Sequence, residues 1–589
     1  MKKHIFKLFF ILFILPIRSY SQFEYSQELN NYIENNLYNS INSSFPILEQ
    51  IDYFINNPIN LYYASITQIE SIASINYIDA YSIHNLFRND DNIVTIDTII
   101  KYINLTNIQQ EILSLCTFIN DKPDTVNNID IFCRNRLTYQ NLYNNKIILS
   151  NNNIELFQQY KASYKNYNIG ITLNKGIQEK NIAAFYSGYI EYNKDNLQIL
   201  LGDFEIQTGL GIICGGNPYL TKVSNILEPS IKYSNKIIPY LSGIDNSLLR
   251  GITAKYTFNL FNKLNLTSMG WYSNKNCCFI DRTTTFYDID YSTPKEHTKE
   301  EFTGAAIILG SCSYNLGINL SHYNYNIQNN DSLLFIPKVN GILGSIFGIY
   351  NTDKIYFNGE LTIDNNYKTG LKIGSAYQDK FFNFMLNLRS YDENFYSPFG
   401  MNIGETITPN NELGLNIGFV WKKDHILKNY TYIDWFKTYS PTKLVDTIIN
   451  GLDLFTKFDI NFSKKLSSFI QFQLKNNTVP FQTNNNITYY QQDKFNFQTE
   501  LNYNINNKIS IRNRIDIITI DKNGTENNET GIGLFIEGKW EISHKIYLQS
   551  KITYFSTDSY ASAIKQFNYY TNFANIRSLY DKGTQSIFL

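Results

Sequence analysis

Asp203 and Glu205 stand two residues apart, a spacing that turns both carboxylates to one face of an extended strand. Two acids so placed could share a proton for general acid–base work or hold a cation. An ordinary solvated strand face uses the same pattern more often, and it is the favoured reading here. Beyond residue 21 the histidines are His84, His297, His322, His425 and His544, and none lies in a nucleophile or metal constellation. Cys116, Cys133, Cys214, Cys277, Cys278 and Cys312 show no CxxC spacing, no HExxH motif occurs, and incidental thiols are expected. The chain is therefore expected not to be an enzyme, with no catalytic residues, no metal site and no cofactor.

The paired acids belong to a stretch, residues 202–251, that differs from what surrounds it. It opens Gly202-Asp203-Phe204-Glu205-Ile206-Gln207-Thr208-Gly209-Leu210-Gly211 and closes on Leu249-Arg250-Gly251. Between them Gly215, Gly216, Pro218, Pro229, Pro239 and Gly243 break both helix and strand, since glycine is permissive and proline lacks an N–H. A connection this long is uncommon in a regular β architecture and is usually functional or disordered. Ile212, Ile213, Leu220, Ile237 and Ile238 supply apolar anchors among the breakers, so residues 212–249 are expected to fold into or across a lumen as a constriction.

Elsewhere the period is two. Phe382, Phe384, Leu386 and Leu388 alternate with Asn383, Met385, Asn387 and Arg389. Ile252, Ala254, Tyr256 and Phe258 alternate with Thr253, Lys255, Thr257 and Asn259, and residues 511–517 and 546–554 repeat the pattern. Segments of about ten residues, apolar on one face and polar with Lys255, Arg389, Arg512, Arg514 and Lys551 on the other, fit tilted strands crossing a bilayer around a wet lumen. A soluble sandwich, propeller or β-helix also alternates, but no short repeat is visible and the strands are long. At this density, residues 131–589 should hold on the order of 16–22 strands.

The address agrees. Lys2, Lys3 and Lys7 precede an apolar run, and Ser19 and Ser21 hold the small-residue positions before Gln22, so residues 1–21 read as a cleaved signal peptide. No later segment offers about 18 consecutive apolar residues, so no transmembrane helix is expected. Tyr (46) and Phe (41) are abundant, which supports a membrane reading. A formal charge of −1 gives no overall pull toward nucleic acid or acidic lipid.

Residues 22–120 have few glycines and helical spacing, as at Ile69, Ile72 and Ala73, and at Ile108, Ile112 and Leu115. Residues 121–130 read as a linker. The sequence Asn57-Pro58-Ile59-Asn60-Leu61, then Ile69-Glu70-Ser71-Ile72, with a second unit some thirty residues on, resembles tandem helix-hairpin-helix domains. In many of these a Gly-x-Gly turn holds a nucleic-acid phosphate on backbone N–H groups. Here the turns read Ser74-Ile75-Asn76 and Asn104-Leu105-Thr106, without glycine. Between residues 23 and 120, eleven acidic side chains against Arg88 and Lys101 give a charge of −9. That balance opposes a polyanion, because phosphate neutralisation supplies most non-specific affinity.

The block Gly202, Asp203, Gln207, Gly209 and Gly211, with Pro239, Tyr240, Arg250 and Gly251 downstream, resembles the hallmark of a Gram-negative family. Its members join a signal peptide, a helix-hairpin-helix region and an outer-membrane-type barrel. The resemblance implies an α+β multidomain chain: a small N-terminal all-α, helix-hairpin-helix-like domain in the periplasm, then a large antiparallel transmembrane β-barrel. It carries no established activity. It also implies further strands beyond Thr584, so the chain is expected either to stop short of a complete barrel or to close with fewer strands. A transport, channel or secretion-associated role in outer-membrane lipid is expected, with a periplasmic protein as partner. DNA uptake through the helical region is the alternative, and its charge makes nucleic acid the disfavoured partner.

Overall fold

A computed structural model describes most residues from Ile51 to Phe588; the first fifty residues, the stretches 90–94, 121–128, 140–153, 217–229, 241–247, 278–297, 328–337, 442–446 and 523–527, and scattered shorter positions are not described. The expected signal peptide, and the expected linker except its last two residues, lie outside the described residues.

Among the described residues, the helices bounded before the β region are α1 (Tyr77–Asn89), α2 (Ile96–Tyr102) and α3 (Asn107–Cys116). Thr95 caps α2 by accepting from the Thr98 N–H at 3.3 Å, which satisfies one of the donors every helix start leaves orphaned. The three share one core with Ile51, Leu61, Ile69 and Ile72. A two-residue parallel pairing of Ile59–Asn60 with Thr117–Phe118 ties the start of this region to its end.

From Asp130 onward the described residues form a closed antiparallel barrel of 23 strands, one of them the four-residue Lys236–Pro239. The count passes the sequence estimate because that short strand, buried in the irregular stretch, gives no alternation to read. Consecutive strands pair in simple hairpins, so register follows from the short turns, as between Tyr164 and Tyr167 or Asn506 and Ile509. Strand Lys582–Phe588 pairs with Ser550–Ser556 and lies beside Asp130–Tyr139, which closes the ring. The hairpin Ile564–Tyr570/Phe573–Leu579 is a separate two-stranded sheet on the lumen side, where Gln566 Oε1 accepts from the Thr553 hydroxyl at 3.0 Å and Ile564 clusters with Ile518 and Ile520.

The distribution of side chains is the reverse of a soluble fold. Ile346 is 66% exposed and Leu320 63%, and Phe357, Leu361, Ile373 and Ile536 share this outer face. Lys372, Arg389, Asn387, Glu500 and Arg514 are buried on the inner one. In strand Phe382–Tyr391 the alternation is strict, with Phe382, Phe384, Leu386 and Leu388 exposed and Asn383, Asn387 and Arg389 buried.

Candidate functional site: a strap across the lumen

Strand Leu197–Gln207 begins in the wall and ends inside it. Its first residues pair with strand Leu249–Phe261, with Gly202 opposite Gly251 and Asp203 opposite Arg250. Past that point Phe204–Gln207 pairs instead with Lys236–Pro239, and residues 203–206 are buried without alternation. Gly202 marks the bend. Its φ is 113°, and a Cβ there would stand 2.2 Å from the Gly188 carbonyl oxygen, so no other residue fits.

An ion pair fastens the bend. The Arg250 Nε donates to Asp203 Oδ1 at 2.6 Å, Arg250 Nη2 donates to Oδ2 at 3.0 Å, and the Gly188 N–H donates to Oδ2 at 2.7 Å. The Arg250 guanidinium lies 4.9 Å over the Tyr186 ring. Asp203 is thereby committed to holding structure. Together with its burial at 2% exposure, this removes both the shared-proton reading and the solvated-face reading of the Asp203/Glu205 pair. No group of three or more His, Cys, Asp or Glu able to hold a metal occurs among the described residues.

Beyond Gln207 the chain crosses the lumen as a strap. The Thr208 hydroxyl accepts from Asn319 Nδ2 at 2.7 Å. Glu360, on the inner face of strand Ile355–Asp364, accepts the Leu210 N–H at 2.8 Å and the Ile212 N–H at 3.3 Å through one carboxylate oxygen. Gly209 has φ 57°, and a Cβ there would approach Phe347 to 2.7 Å. Leu210, Ile212, Ile213 and Cys214 are all buried. The return strand is tied to the same place: Asn235 Oδ1 accepts the Gly209 N–H, the Tyr240 N–H donates to the Asp203 carbonyl, and Lys255 donates to the Asn235 carbonyl at 2.7 Å. Pro239 pairs with Phe204, and Gln207 pairs with Lys236 and bridges to Gly215.

A second inward loop, between strands Phe382–Tyr391 and Glu412–Lys423, meets the strap backbone to backbone. The Gly215 N–H donates to Phe399 O and the Met401 N–H to Gly211 O, both at 2.9 Å, and the Ser397 hydroxyl donates to Ile212 O at 2.6 Å. Phe399 stacks on Phe302 with ring centroids 4.0 Å apart. At its foot Arg389, fully buried, bonds Glu412 and, in fork geometry, Asp434 at 2.7 and 3.1 Å. Glu412 in turn accepts the Glu405 N–H. The sequence reading missed this loop, although Pro398, Gly400, Gly404 and Pro409 set in an aromatic run repeat the signal that marked the strap.

Across the lumen the lining is different. Arg512 pairs with Glu537 at 2.8 Å, Arg514 with Asp516 at 2.9 Å, and Arg512, Arg514 and Lys551 surround the Phe535 ring within 4.2–5.8 Å. Lys475 stands opposite Lys494 in register and reaches Glu405 of the second loop at 2.5 Å.

The helical turns fall partly outside the described residues: Asn76 and Asn104 are not described. Ile75 and Leu105 are buried in the helical core. The left-handed residue described in the first turn is Ser74, with φ 65°, and its carbonyl accepts from Gln109 Nε2 at 2.8 Å.

No family model matches the chain, and no curated protein matches it. Similar solved structures include the FrpB iron transporter from Neisseria meningitidis, at 12% identity over 78% of this chain and 80% of that one, with a TM-score of 0.38. Pseudomonas aeruginosa OccK3 is similar at 7% identity over 73% and 89%, TM-score 0.28. A bacterial polysaccharide outer membrane secretin is similar at 8% identity over 56% and 98%, TM-score 0.25. Likeness this distant transfers no residue role and no substrate.

Proposed function

We propose that this chain is an outer-membrane β-barrel of the transport or channel class, with no catalysis of its own, whose lumen is narrowed by the strap. The observation that carries the reading is the inverted burial, with Ile346, Leu320 and Ile536 outside and Lys372, Arg389 and Arg514 inside. A closed ring leaves no unpaired edge, the condition for strands to cross hydrocarbon. In outer-membrane barrels the short turns face the periplasm and the long loops the exterior. The turns at 165–166, 352–354 and 506–508 would then be periplasmic, and the strap would fold inward from the outside.

The helices α1–α3 fit a periplasmic position at the barrel mouth. A periplasmic protein is the partner this region would meet, and its acidic balance disfavours nucleic acid.

The test is fractionation followed by conductance. The chain should extract from outer membranes only with detergent and run as a compact band that heating shifts. Replacing residues 210–240 by a short Gly-Ser linker should raise single-channel conductance in planar bilayers several-fold. Recovery of folded chain as a soluble periplasmic protein would end the membrane reading. An unchanged conductance would end the strap's role in narrowing the lumen.

A further inference from the structure

The charged side of the lumen carries an insertion of its own. Two residues separate Ser543 from strand Ile546–Thr557, so in the proposed orientation that strand runs outward from the periplasmic end. The hairpin Ile564–Tyr570/Phe573–Leu579 that follows it therefore enters the lumen from outside. Its first strand descends the wall level by level. Across strands Glu529–Ser543 and Ile546–Thr557, Gly531 stands opposite Thr557, Gly533 opposite Phe555 and Phe535 opposite Thr553. Ser562 lies against Gly531, Ile564 lies against Gly533, and Gln566 meets Thr553.

Two glycines make the seat. A Cβ at Gly531 would stand 2.1 Å from the Ser562 carbonyl oxygen, and one at Gly533 would stand 2.8 Å from Ile564 Cγ2. Both face the lumen, because Ile532, Leu534 and Ile536 of the same strand are exposed outward. Gly538, also on this strand, has no atom within 4 Å of the same position. The close approach is particular to the two glycines beneath the hairpin.

The hairpin is held more lightly than the strap. Among the described residues, the backbone of its two strands pairs only within the hairpin. A two-stranded hairpin is marginal by itself. Its ties to the wall are side-chain ones: the Thr553 hydroxyl on Gln566, Lys494 donating to the Ala561 carbonyl at 3.0 Å, and Ile564 and Leu579 against Ile518 and Ile520. Gln566 is fully buried, yet its Nε2 has no acceptor. A buried donor without a partner is costly, and water would satisfy it once the hairpin left the wall. The strap, by contrast, is bonded through its backbone to Glu360 and to the second loop.

We infer that this hairpin is a lid on the charged side of the lumen, seated on Gly531 and Gly533 and lifting to widen the path. The inference rests on the proposed channel reading. In planar bilayers, the full chain carrying Gly531→Val and Gly533→Val should show at least double the mean single-channel conductance, while heat-shifted mobility reports a folded barrel. Gly538→Val should conduct as the parent does. Thr553→Cys with Gln566→Cys should cross-link on oxidation, read as a mobility change of the denatured chain. The cross-linked channel should lose the parent's brief large openings and regain them in dithiothreitol; the parent chain should respond to neither treatment. If the valine pair lowers folded yield, the cross-link decides alone. A folded valine-pair channel with the parent conductance, or a cross-linked one that opens as before, overturns the lid. So does a cysteine pair that fails to cross-link, since Thr553 and Gln566 would then not be seated together. A membrane-embedded chain that forms no channel at all overturns the channel reading on which the lid rests.

Discussion

The two sides of the lumen are built on opposite principles. From strand Phe185–Lys194 round to Asn450–Asn461, the wall turns Tyr189, Trp271, Phe302, Tyr323, Phe347, Tyr391 and Phe455 inward, and with the strap and the second loop these form one apolar core. From Leu466–Thr483 round to Asp130–Tyr139, it turns Lys475, Lys494, Arg512, Arg514, Glu537 and Lys551 inward. The only apolar cluster described on this side is small, centred on Ile518, Ile520, Ile564 and Leu579 under the last hairpin. A loop can be held rigidly inside a barrel only where the wall offers burial and well-placed acceptors such as Glu360. On the proposed transport reading, the charged side is where water and solutes would pass.

The largest effect that would test this contrast is on stability. Arg389→Met should leave Glu412 and Asp434 buried without their cation, at a cost of roughly 3–5 kcal/mol. Arg512→Met also takes the cation from Glu537, but Gln549 still donates to that carboxylate and Arg514 remains near Glu500, so the cost should be smaller, roughly 1.5–3 kcal/mol. The temperature at which the compact band is lost on heating in detergent reads both. Equal shifts for the two variants would mean that the sides are packed alike.

Next comes the strap's anchor. Glu360→Leu leaves the Leu210 and Ile212 N–H groups without an acceptor, each worth about 1–3 kcal/mol when buried. The expected result is a strap that unseats in a folded barrel: frequent large openings in single-channel records and little change in membrane yield. A silent Glu360→Leu channel would show that the second loop alone holds the strap.

Much of this was legible in the sequence, and what was not has a common cause. Strand walls show in the alternation of Phe382, Phe384 and Leu386 with Asn383, Met385 and Asn387, because the period is local. The bend and the inward course were marked by Gly202, Gly209 and Ile212. Glu360, however, lies 150 residues from the Leu210 N–H it accepts, and Asp434 lies 45 from Arg389. Neither has a neighbour in sequence that announces a partner. Asp203 was singled out for its chemistry, but its role depends on Arg250, 47 residues away, which only strand register brings opposite.

A smaller effect, on selectivity rather than stability, should follow on the open side. Lys494 stands opposite Lys475 in register and donates to the Ala561 carbonyl at 3.0 Å. Lys494→Glu changes the local charge by two units on the solute path and should move the reversal potential in a salt gradient toward cations. Folded yield should stay as in the parent chain. The same change at Lys372, buried under the packed side, should reduce folded yield instead. If both variants fold and both shift selectivity, the path is not confined to the charged side.

The smallest effect belongs to the rim of the open side, at Asp558, where strand Ile546–Thr557 leaves the wall. Its carboxylate accepts the Thr530 N–H at 2.7 Å and the Thr530 hydroxyl at 2.8 Å. The backbone bond first, and the hydroxyl second, hold its pKa below the usual 3.8. A depressed carboxylate contributes stability that is complete above its unfolded value and is lost as pH falls through the lower folded one. The parent chain and Asp558→Asn should therefore differ slightly in melting temperature at pH 6, and the difference should vanish at the acid end, below pH 3.8. Since the group is solvated, conductance should not change with it. A pH-dependent change in conductance that Asp558→Asn abolishes would mean that the rim of the open side couples to the packed one, and the two sides would no longer be independent.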